Sequence, residues 1–264
     1  DIIGLGDIAS EPLIMLTGPE FVAGKLLNRA GMSSHDIDLW ELNEAFASVV
    51  LRYMQAADLP TIVRVPSKEY HHIARAADMG AEGIMLPMVG SPDEARAILD
   101  CMKYHPLGHR GVALGIAHDR YTPGPTLDKL AAANRRTTLF AQIETRQGVE
   151  NAEAIAAIDG VDCLWVGHFD LSASLGIPGQ FDHKDFTDAI DTVIRACRKH
   201  GKSAGRLVPT VDEGVTFYQT GFDFICYSGD VWALHGAVQQ GVDQIRERTA
   251  PAKATTRGRA RKRA

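Results

Sequence analysis

The sequence contains few cysteines, and no two of them form a closely spaced pair. There are four in 264 residues, Cys101, Cys163, Cys197 and Cys226, and none share a CxxC spacing. Cys163 and Cys226 lie inside apolar runs that are typical of strands. Cysteines in such runs are usually small buried thiols. We therefore predict free cysteines and a cytoplasmic protein.

Long apolar runs are also absent. No stretch approaches the roughly 20 apolar residues that a membrane-spanning helix needs. The first residues show no basic region followed by a long apolar core, so we predict no signal peptide. Hydrophobic residues make up 45% of the chain and charged residues 23%, which is ordinary for a globular protein. We predict no contact with membranes.

Residues 250–264 contain no acidic residue and six basic ones. The formal net charge of the whole chain is −5, so removing these six positive charges leaves −11 on the remainder. A basic segment without apolar periodicity is expected to be disordered. Such a tail could contact nucleic acid or an acidic surface. We favour a solvated tail without such a partner.

The rest of the chain alternates between short apolar runs and segments with helical spacing. Strands are predicted near residues 13–17, 37–42, 61–65, 83–87, 139–144, 162–167, 204–208 and 224–227. Helices are predicted near residues 19–30, 45–57, 69–79, 92–104, 147–157, 184–200, 211–220 and 231–246. This alternation predicts a parallel sheet, and eight such units close into a (β/α)8 barrel. We therefore predict an α/β fold with one TIM-barrel domain over residues 1–249, followed by the tail.

Residues 105–126 interrupt the alternation. They contain three prolines and four glycines, a density that predicts a long loop. A loop of this length inside a compact domain is usually functional.

Two acidic residues stand at the ends of consecutive predicted strands. Glu144 follows the apolar run 139–143, and Asp170 follows the run 161–166 just beyond Gly167. In parallel α/β folds the carboxyl ends of the strands share one rim, where the chemistry gathers. Two carboxylates at this rim could hold a divalent cation between them. Alternatively, each acid could simply open a helix, where acids are favoured.

Residues 11–55 resemble part of the C-terminal half of thiolases. The run EPLIMLTGPEFVAGKLLNRAGMSSHDIDLWELNEAFASVVLRYMQ matches that family throughout, including its Asn43-Glu44-Ala45-Phe46 motif. The resemblance implies a thiolase-like acyltransferase fragment as one alternative. However, the chain has no nucleophilic cysteine in a thiolase context and no Cys-Gly-Gly segment near its C-terminus. We therefore expect the thiolase-like residues 1–58 to supply the first two β–α units of the barrel.

Residues 59–247 resemble the HpcH/HpaI aldolases, which are metal-dependent class II enzymes. The matching segments are TIVRVP (61–66), GIMLPMVGSPDEAR (83–96), YHPLGHRG (104–111), QIET (142–145), IAAIDGVDCLWVGHFDLSASLGIPG (155–179) and GFDFICYSGD (221–230). The resemblance implies a lyase that cleaves 4-hydroxy-2-oxoacids to pyruvate and an aldehyde through a metal-stabilised enolate. It also implies a homo-oligomer, because relatives complete their sites at subunit interfaces through the long loop.

By the same resemblance, Glu144 and Asp170 are the metal ligands. Their hard oxygen atoms suit Mg²⁺, Mn²⁺ or Co²⁺. With two protein ligands, positions remain for water and for the oxygens of pyruvate, toward which the cation acts as a Lewis acid. The substrate-binding positions that the resemblance implies are Arg64, Gln142 and the backbone of Gly167, His168 and Phe169. Of these, Arg64 can present a planar fork of donors to a keto or carboxylate oxygen.

The histidine that assists proton transfer in these aldolases is absent. Relatives carry an Asp-x-Glu-His sequence at the end of the second strand, and Glu41, Asn43 and Glu44 occupy the matching positions here. Glu44 is therefore the candidate base, and glutamate is a weaker base than histidine near neutral pH. General base catalysis contributes roughly 10²–10⁴-fold. We predict a divalent-metal-dependent aldolase with impaired turnover. The alternative is a non-catalytic barrel that binds an oxoacid and a metal.

Overall fold

Six parallel strands form one sheet in the computed structural model, which describes residues 18–37 and 58–249. The strands follow each other across the sheet in sequence order. They are β1 (Ile62–Arg64), β2 (Gly83–Leu86), β3 (Thr138–Ile143), β4 (Val161–Val166), β5 (Ser203–Val208) and β6 (Phe224–Tyr227). Each crossover thus adds the next strand at the same edge of the sheet. The sheet curls into a half-barrel.

One helix precedes the described strands, and the others lie between them along the chain or follow the last of them. They are α1 (Gly18–Ala30), α2 (Tyr70–Asp78), α3 (Pro92–Met102), α4 (Thr126–Arg136), α5 (Arg146–Glu150), α6 (Ala152–Ala156), α7 (His168–Ser174), α8 (Lys184–His200), α9 (Val211–Thr220) and α10 (Asp230–Thr249). Short 3₁₀ turns span Ser34–Asp36 and Ala117–Asp119. Local signals set several boundaries. For example, the Ser91 hydroxyl accepts a hydrogen bond from the Glu94 N–H at the start of α3.

Both faces of the sheet are apolar. The inner face carries Met85, Phe140, Cys163 and Trp165, which pack together. The larger outer cluster joins the other side chains of these strands to the helices. At Gly205 an added Cβ would lie 2.6 Å from the Trp165 ring, so this glycine makes room for the indole. In β2, β3 and β4 both faces are largely covered, so these strands read as nearly continuous apolar runs, as the sequence predicted.

The predicted parallel α/β fold is confirmed in the described part of the chain. The six strands predicted between residues 61 and 227 are all present, and α8 and α9 have the predicted bounds. The strand predicted near 13–17, most of that near 37–42 and the helix near 45–57 lie outside the described residues. The cysteine prediction is partly confirmed. All four are free, Cys163 is buried, and Cys226 is only half-buried.

Two helical segments differ from the sequence prediction. The helix predicted over 147–157 divides into α5 and α6 at Asn151, where the backbone leaves helical geometry. The side-chain amide of Asn151 donates to the carbonyl of Gly90 at 2.7 Å. Helix α4 was not predicted, because it follows the proline- and glycine-rich loop directly and buries a single residue, Ala133.

The long loop before α4 is packed against the body. Arg110 is buried, its guanidinium pairs with the Asp78 carboxylate, and it lies 4.5 Å above the centre of the Tyr104 ring. Burial of a cation is costly unless it is paired, so this contact holds the middle of the loop to α2. The buried His118 lies further along the loop, and its Nε2 donates a hydrogen bond to the Ala113 carbonyl at 2.7 Å.

No helix in residues 18–37 and 58–249 is long and apolar enough to span a membrane.

Candidate metal and oxoacid site

The register of the sheet brings Arg64, Gln142 and Glu144 to the inner face. Arg64 pairs with Met85, which pairs with Phe140, and both partners belong to the inner cluster. Paired residues of parallel strands share a face, and alternate residues along one strand do so too. Gln142 and Glu144 therefore follow Phe140 toward the carboxyl end of the sheet. Glu144 is the first residue beyond β3 and stands at this rim.

Glu144 is buried, with 2% of its surface exposed, and its two oxygens have different surroundings. Oε1 accepts a hydrogen bond from the Met88 N–H at 2.7 Å. Oε2 is buried and has no hydrogen-bond partner among the described residues. A buried polar atom without a partner costs about 1–3 kcal/mol. Oε2 is therefore an acceptor that a cation could satisfy.

Gly167 leaves the space that the Glu144 side chain occupies. Its φ of −86° is open to any residue, so no backbone strain calls for glycine here. An added Cβ, however, would overlap Glu144 Oε2 and lie 2.9 Å from Glu144 Cβ. The Gly167 backbone thus forms one wall of the Glu144 position. This packing role adds to the substrate contact that the sequence predicted.

The charges around Glu144 act in opposite directions on its pKa. Burial raises this pKa, and the hydrogen bond from Met88 lowers it. The negative charge of Asp170 raises it further, whereas the positive charges of Arg64 and Lys68 lower it. Asp170 is exposed and lies in the first turn of α7. The structure therefore brings Asp170 and Arg64 close enough to Glu144 for their charges to act on it. A cation between the two carboxylates would relieve their repulsion.

Gln142 offers a second oxygen without a partner. Its side-chain Oε1 is buried and accepts no hydrogen bond from the described residues. Its backbone carbonyl accepts one from the Val89 N–H at 3.0 Å. The Oε1 atom of Gln142 can therefore accept a hydrogen bond on the inner face, two residues before Glu144 along the chain.

His168 and Phe169 pack in an aromatic cluster with Phe181. The His168 ring lies 4.7 Å from the Phe169 ring and 5.3 Å from the Phe181 ring, between centroids. Burial lowers the pKa of His168, and the positive charge of Arg206 lowers it further. In the described part of the chain, neither side chain is hydrogen-bonded to Glu144. The predicted contact of their backbone with the oxoacid stays a prediction.

Comparison with known proteins identifies the family of the chain. The profile of the family described as HpcH/HpaI aldolase/citrate lyase matches residues 43–234. The chain belongs to this family. The 5-keto-4-deoxy-D-glucarate aldolase of Shigella boydii is 34% identical over 186 residues, which are 70% of this chain and 72% of that protein. The enzyme of the same name from Escherichia coli is equally similar.

Solved structures of HpcH/HpaI proteins share the fold. The HpcH/HpaI aldolase of Desulfitobacterium hafniense is 30% identical, with a TM-score of 0.73 over 87% of this chain and 88% of that one. A family protein of Burkholderia cenocepacia is 31% identical, with a TM-score of 0.70 over 88% of this chain and 92% of that one. The predictions of an HpcH/HpaI aldolase, of a carbon–carbon lyase and of an enzyme are thereby confirmed.

The thiolase-like character of the N-terminus is confirmed as well. The profile of the thiolase C-terminal domain matches residues 1–68, so it overlaps the HpcH/HpaI match between residues 43 and 68. We placed the change of family at residue 58, inside this overlap. The acyltransferase alternative is not favoured, because the thiolase match ends at residue 68 while the aldolase match continues to 234.

The donor atoms at the rim formed by the carboxyl ends of the strands fit the divalent metal on which the HpcH/HpaI family depends. The buried Oε2 of Glu144, which has no partner in the part of the chain that the structure describes, and the exposed carboxylate of Asp170 are hard oxygen donors. Within residues 18–37 and 58–249 no group of three or more His, Cys, Asp or Glu side chains could hold a metal. A pair of carboxylate ligands suits a cation that keeps several water molecules.

The sequence did not point to Met88 or Lys68. Met88 contributes its backbone N–H and has a φ of 55°. A backbone contribution of this kind cannot be predicted from the residue type. A bulky residue rarely adopts this left-handed conformation, which costs on the order of 1–3 kcal/mol. Lys68 lies between the predicted strand 61–65 and the predicted helix 69–79, and we assigned it no role. Its position four residues after Arg64, beyond the carboxyl end of β1, was the available signal.

Proposed function

We propose that this protein is a class II aldolase that cleaves a 4-hydroxy-2-oxoacid to pyruvate and an aldehyde. The observation that carries the proposal is the buried Oε2 of Glu144, which has no hydrogen-bond partner among the described residues and feels the negative charge of Asp170. Relatives named 5-keto-4-deoxy-D-glucarate aldolase favour a substrate of this class. In the cleavage, the C3–C4 bond breaks as the 4-hydroxyl proton leaves. The aldehyde carbonyl forms, and C3 takes up a proton to give pyruvate.

Glu144 and Asp170 are the proposed ligands of Mg²⁺, Mn²⁺ or Co²⁺. When bound, the cation would supply Lewis-acid stabilisation of negative charge on the oxoacid oxygens. The Met88 N–H fixes one oxygen of Glu144, so the other is held toward the cation position. Asp170 is exposed in the first turn of α7 and supplies the second negative charge.

Arg64, Gln142 and the backbone of residues 167–169 are the proposed oxoacid contacts. Arg64 ends β1 on the inner face and is exposed there, which leaves its guanidinium accessible to an anionic ligand. Its planar fork of donors matches a carboxylate or keto oxygen. Gln142 contributes a buried amide whose oxygen has no partner in the described part of the chain.

Glu44 is the proposed base, and it lies outside the described residues. Its position matches that of the histidine in relatives of this family, and the HpcH/HpaI match begins one residue before it. Because a glutamate is a weaker base than a histidine near neutral pH, turnover should be slow. The absence of this histidine also supports the alternative, in which the protein binds an oxoacid and a metal without turnover.

We propose that residues 1–249 form one closed (β/α)8 barrel. The described strands supply six of its eight strands in the order that a barrel requires. The two remaining strand–helix units would come from the thiolase-like segment. The four free thiols favour a cytoplasmic location, where thiols stay reduced. For the tail over residues 250–264 we keep the prediction of a solvated segment.

A homo-oligomer is the proposed assembly, and α10 supports it. Every residue of this helix is exposed, and its apolar side chains recur at spacings of three or four residues. These are Val231, Leu234, Val238, Val242 and Ile245. Such a stripe normally faces another protein surface. We expect the protein to sediment as an oligomer and Val238→Asp to sediment as a smaller species. A wild-type monomer across the micromolar range would contradict the proposal.

The direct test of the function is release of pyruvate from a 4-hydroxy-2-oxoacid. We expect turnover with Mg²⁺ or Mn²⁺, its loss in a chelator, and its return when the metal is restored. Absence of turnover, combined with thermal stabilisation by Mg²⁺ plus oxalate, would support the non-catalytic binding alternative instead. Absence of both would reject a metal and oxoacid site.

A further inference from the structure

We propose that Lys68 and Glu94 are positioning residues for Glu144, which they hold through the turn formed by residues 88–90. This inference rests on the proposed function of Glu144 as a metal ligand. Neither residue is hydrogen-bonded to Glu144 itself. Both instead fix the backbone that does contact it.

The outer side of the 88–90 turn is held by this lysine–glutamate pair. Lys68 Nζ donates to the Met88 carbonyl at 2.7 Å and to Glu94 Oε1 at 2.7 Å. The other carboxylate oxygen of Glu94, Oε2, accepts a hydrogen bond from the Gly90 N–H at 2.8 Å. The pair therefore binds both ends of the turn, through the carbonyl of Met88 and the N–H of Gly90.

The inner side of the same turn faces the candidate site. The Met88 N–H donates to Glu144 Oε1, and the Val89 N–H donates to the Gln142 carbonyl. The remaining contact is the Gly90 carbonyl, which accepts from the Asn151 amide. Five of the six backbone polar groups of the turn are thus bonded, and two of the five partners are Gln142 and Glu144. A shift of the turn would move the donor that orients Glu144.

The conformation of Met88 explains why the turn needs stabilising contacts from residues outside it. Its φ of 55° is in the left-handed region, which side chains with a Cβ rarely adopt. Such a conformation persists only when surrounding contacts determine it. The Met88 side chain is 49% exposed, so packing of that side chain does little to hold it. The contact from Lys68 to the Met88 carbonyl acts on the same residue whose N–H orients Glu144.

The charges of the pair support a persistent contact. Burial of Glu94 acts to raise its pKa, but the hydrogen bonds from Lys68 and from the Gly90 N–H outweigh burial and leave the pKa lowered. The Lys68 and Glu94 side chains are 30% and 41% exposed, so the pair is shielded from water more than an ordinary surface pair is. Of the other ion pairs between described residues, that of Lys184 and Asp188 is well exposed and lies within one helix, which makes it a suitable control.

The test is the affinity of the metal-free protein for Mn²⁺, measured by electron paramagnetic resonance without substrate. We expect Lys68→Met to weaken Mn²⁺ binding about 10–100-fold, the range found for residues that orient metal ligands. Glu94→Gln should weaken it in the same direction, since it removes the charge that holds Lys68. Lys68→Arg should restore part of the affinity. Lys184→Met should leave the affinity at the wild-type value.

The double variant Lys68→Met/Glu94→Gln separates positioning from a general loss of stability. Because both residues act through one turn, their effects should not add, and the double variant should bind Mn²⁺ about as well as the weaker single variant. In the pyruvate assay, kcat/KM should fall in parallel with metal occupancy. Excess Mn²⁺ should restore most of kcat.

Three outcomes are decisive. Wild-type affinity in both Lys68→Met and Glu94→Gln would overturn this inference and leave the proposed function intact. Failure of the wild-type protein itself to bind Mn²⁺ would instead reject the proposed function. If Lys68→Met does not fold, as judged by circular dichroism, the result for Glu94→Gln decides the question alone.

Discussion

Replacing Glu144 with glutamine is expected to abolish metal-dependent aldolase activity. The substitution keeps the size of the side chain and an oxygen for the Met88 N–H, but it removes the charge that would hold the cation. Lewis-acid stabilisation is worth several kcal/mol, so a loss of roughly 10³-fold or more in kcat is expected. The measurement is pyruvate release at saturating Mn²⁺, together with Mn²⁺ binding by the same protein.

The matched control is Glu150→Gln. Glu150 is an exposed glutamate at the end of α5, six residues further along the chain. The Glu150→Gln substitution changes the net charge of the protein by the same amount as Glu144→Gln and should leave activity and metal binding unchanged. Wild-type Mn²⁺ affinity in Glu144→Gln would exclude Glu144 as a ligand.

Adding a single methyl group at Gly167 is expected to disable the site without touching any ionisable residue. In Gly167→Ala the new Cβ would overlap Glu144 Oε2 and crowd Glu144 Cβ. The Glu144 carboxylate must then move, because the Gly167 backbone is tied to β3 by a hydrogen bond from its N–H to the Ile143 carbonyl. We expect Mn²⁺ affinity to fall about 10–100-fold, as for other changes that misplace a metal ligand. Titration with Mn²⁺ measures the effect.

Gly24→Ala is the control for this substitution. Gly24 lies within α1, and a Cβ added there would meet nothing within 4 Å. Alanine in a helix is favourable relative to glycine, so this variant should fold and bind Mn²⁺ normally. If Gly167→Ala also bound Mn²⁺ normally, the Glu144 oxygen that it displaces would not be the one that holds the metal. The double variant Gly167→Ala/Glu144→Gln should be no worse than Glu144→Gln, since both changes act on the same carboxylate.

The strands in the middle of the sheet were predictable from local sequence because they are largely buried on both faces, whereas the edge strands β1 and β6 contain no buried residue. The run 139–143 contains four apolar residues with Gln142 among them, and it became β3 nearly as predicted. Amphipathic helices with clear boundaries were predictable for the same reason. In α8 the apolar residues recur with helical period, and the helix ends at Gly201, whose φ is 62°. Helix α4 escaped prediction because it buries almost nothing, so its apolar pattern is weak.

The two acidic residues of the candidate site could be predicted from the sequence, but the backbone turn that orients Glu144 could not. Glu144 and Asp170 follow consecutive strands, and parallel strands bring such residues to one rim whatever the details of packing. The turn at residues 88–90 has no such signature. Its N–H groups orient Glu144 and Gln142 only because three segments far apart in sequence meet there: the start of α2, the end of β2 and the end of β3.

The sequence by itself determined the parallel strand order, the family and the two carboxylates at the rim. These follow from periodicity, from motif spacing and from residue chemistry, all of which are local along the chain. Only the tertiary structure decided which oxygen of Glu144 is free and which backbone N–H holds the other. It also showed why Gly167 must lack a side chain. These features depend on distances between segments that are not neighbours in sequence, and only packing of the folded chain sets such distances.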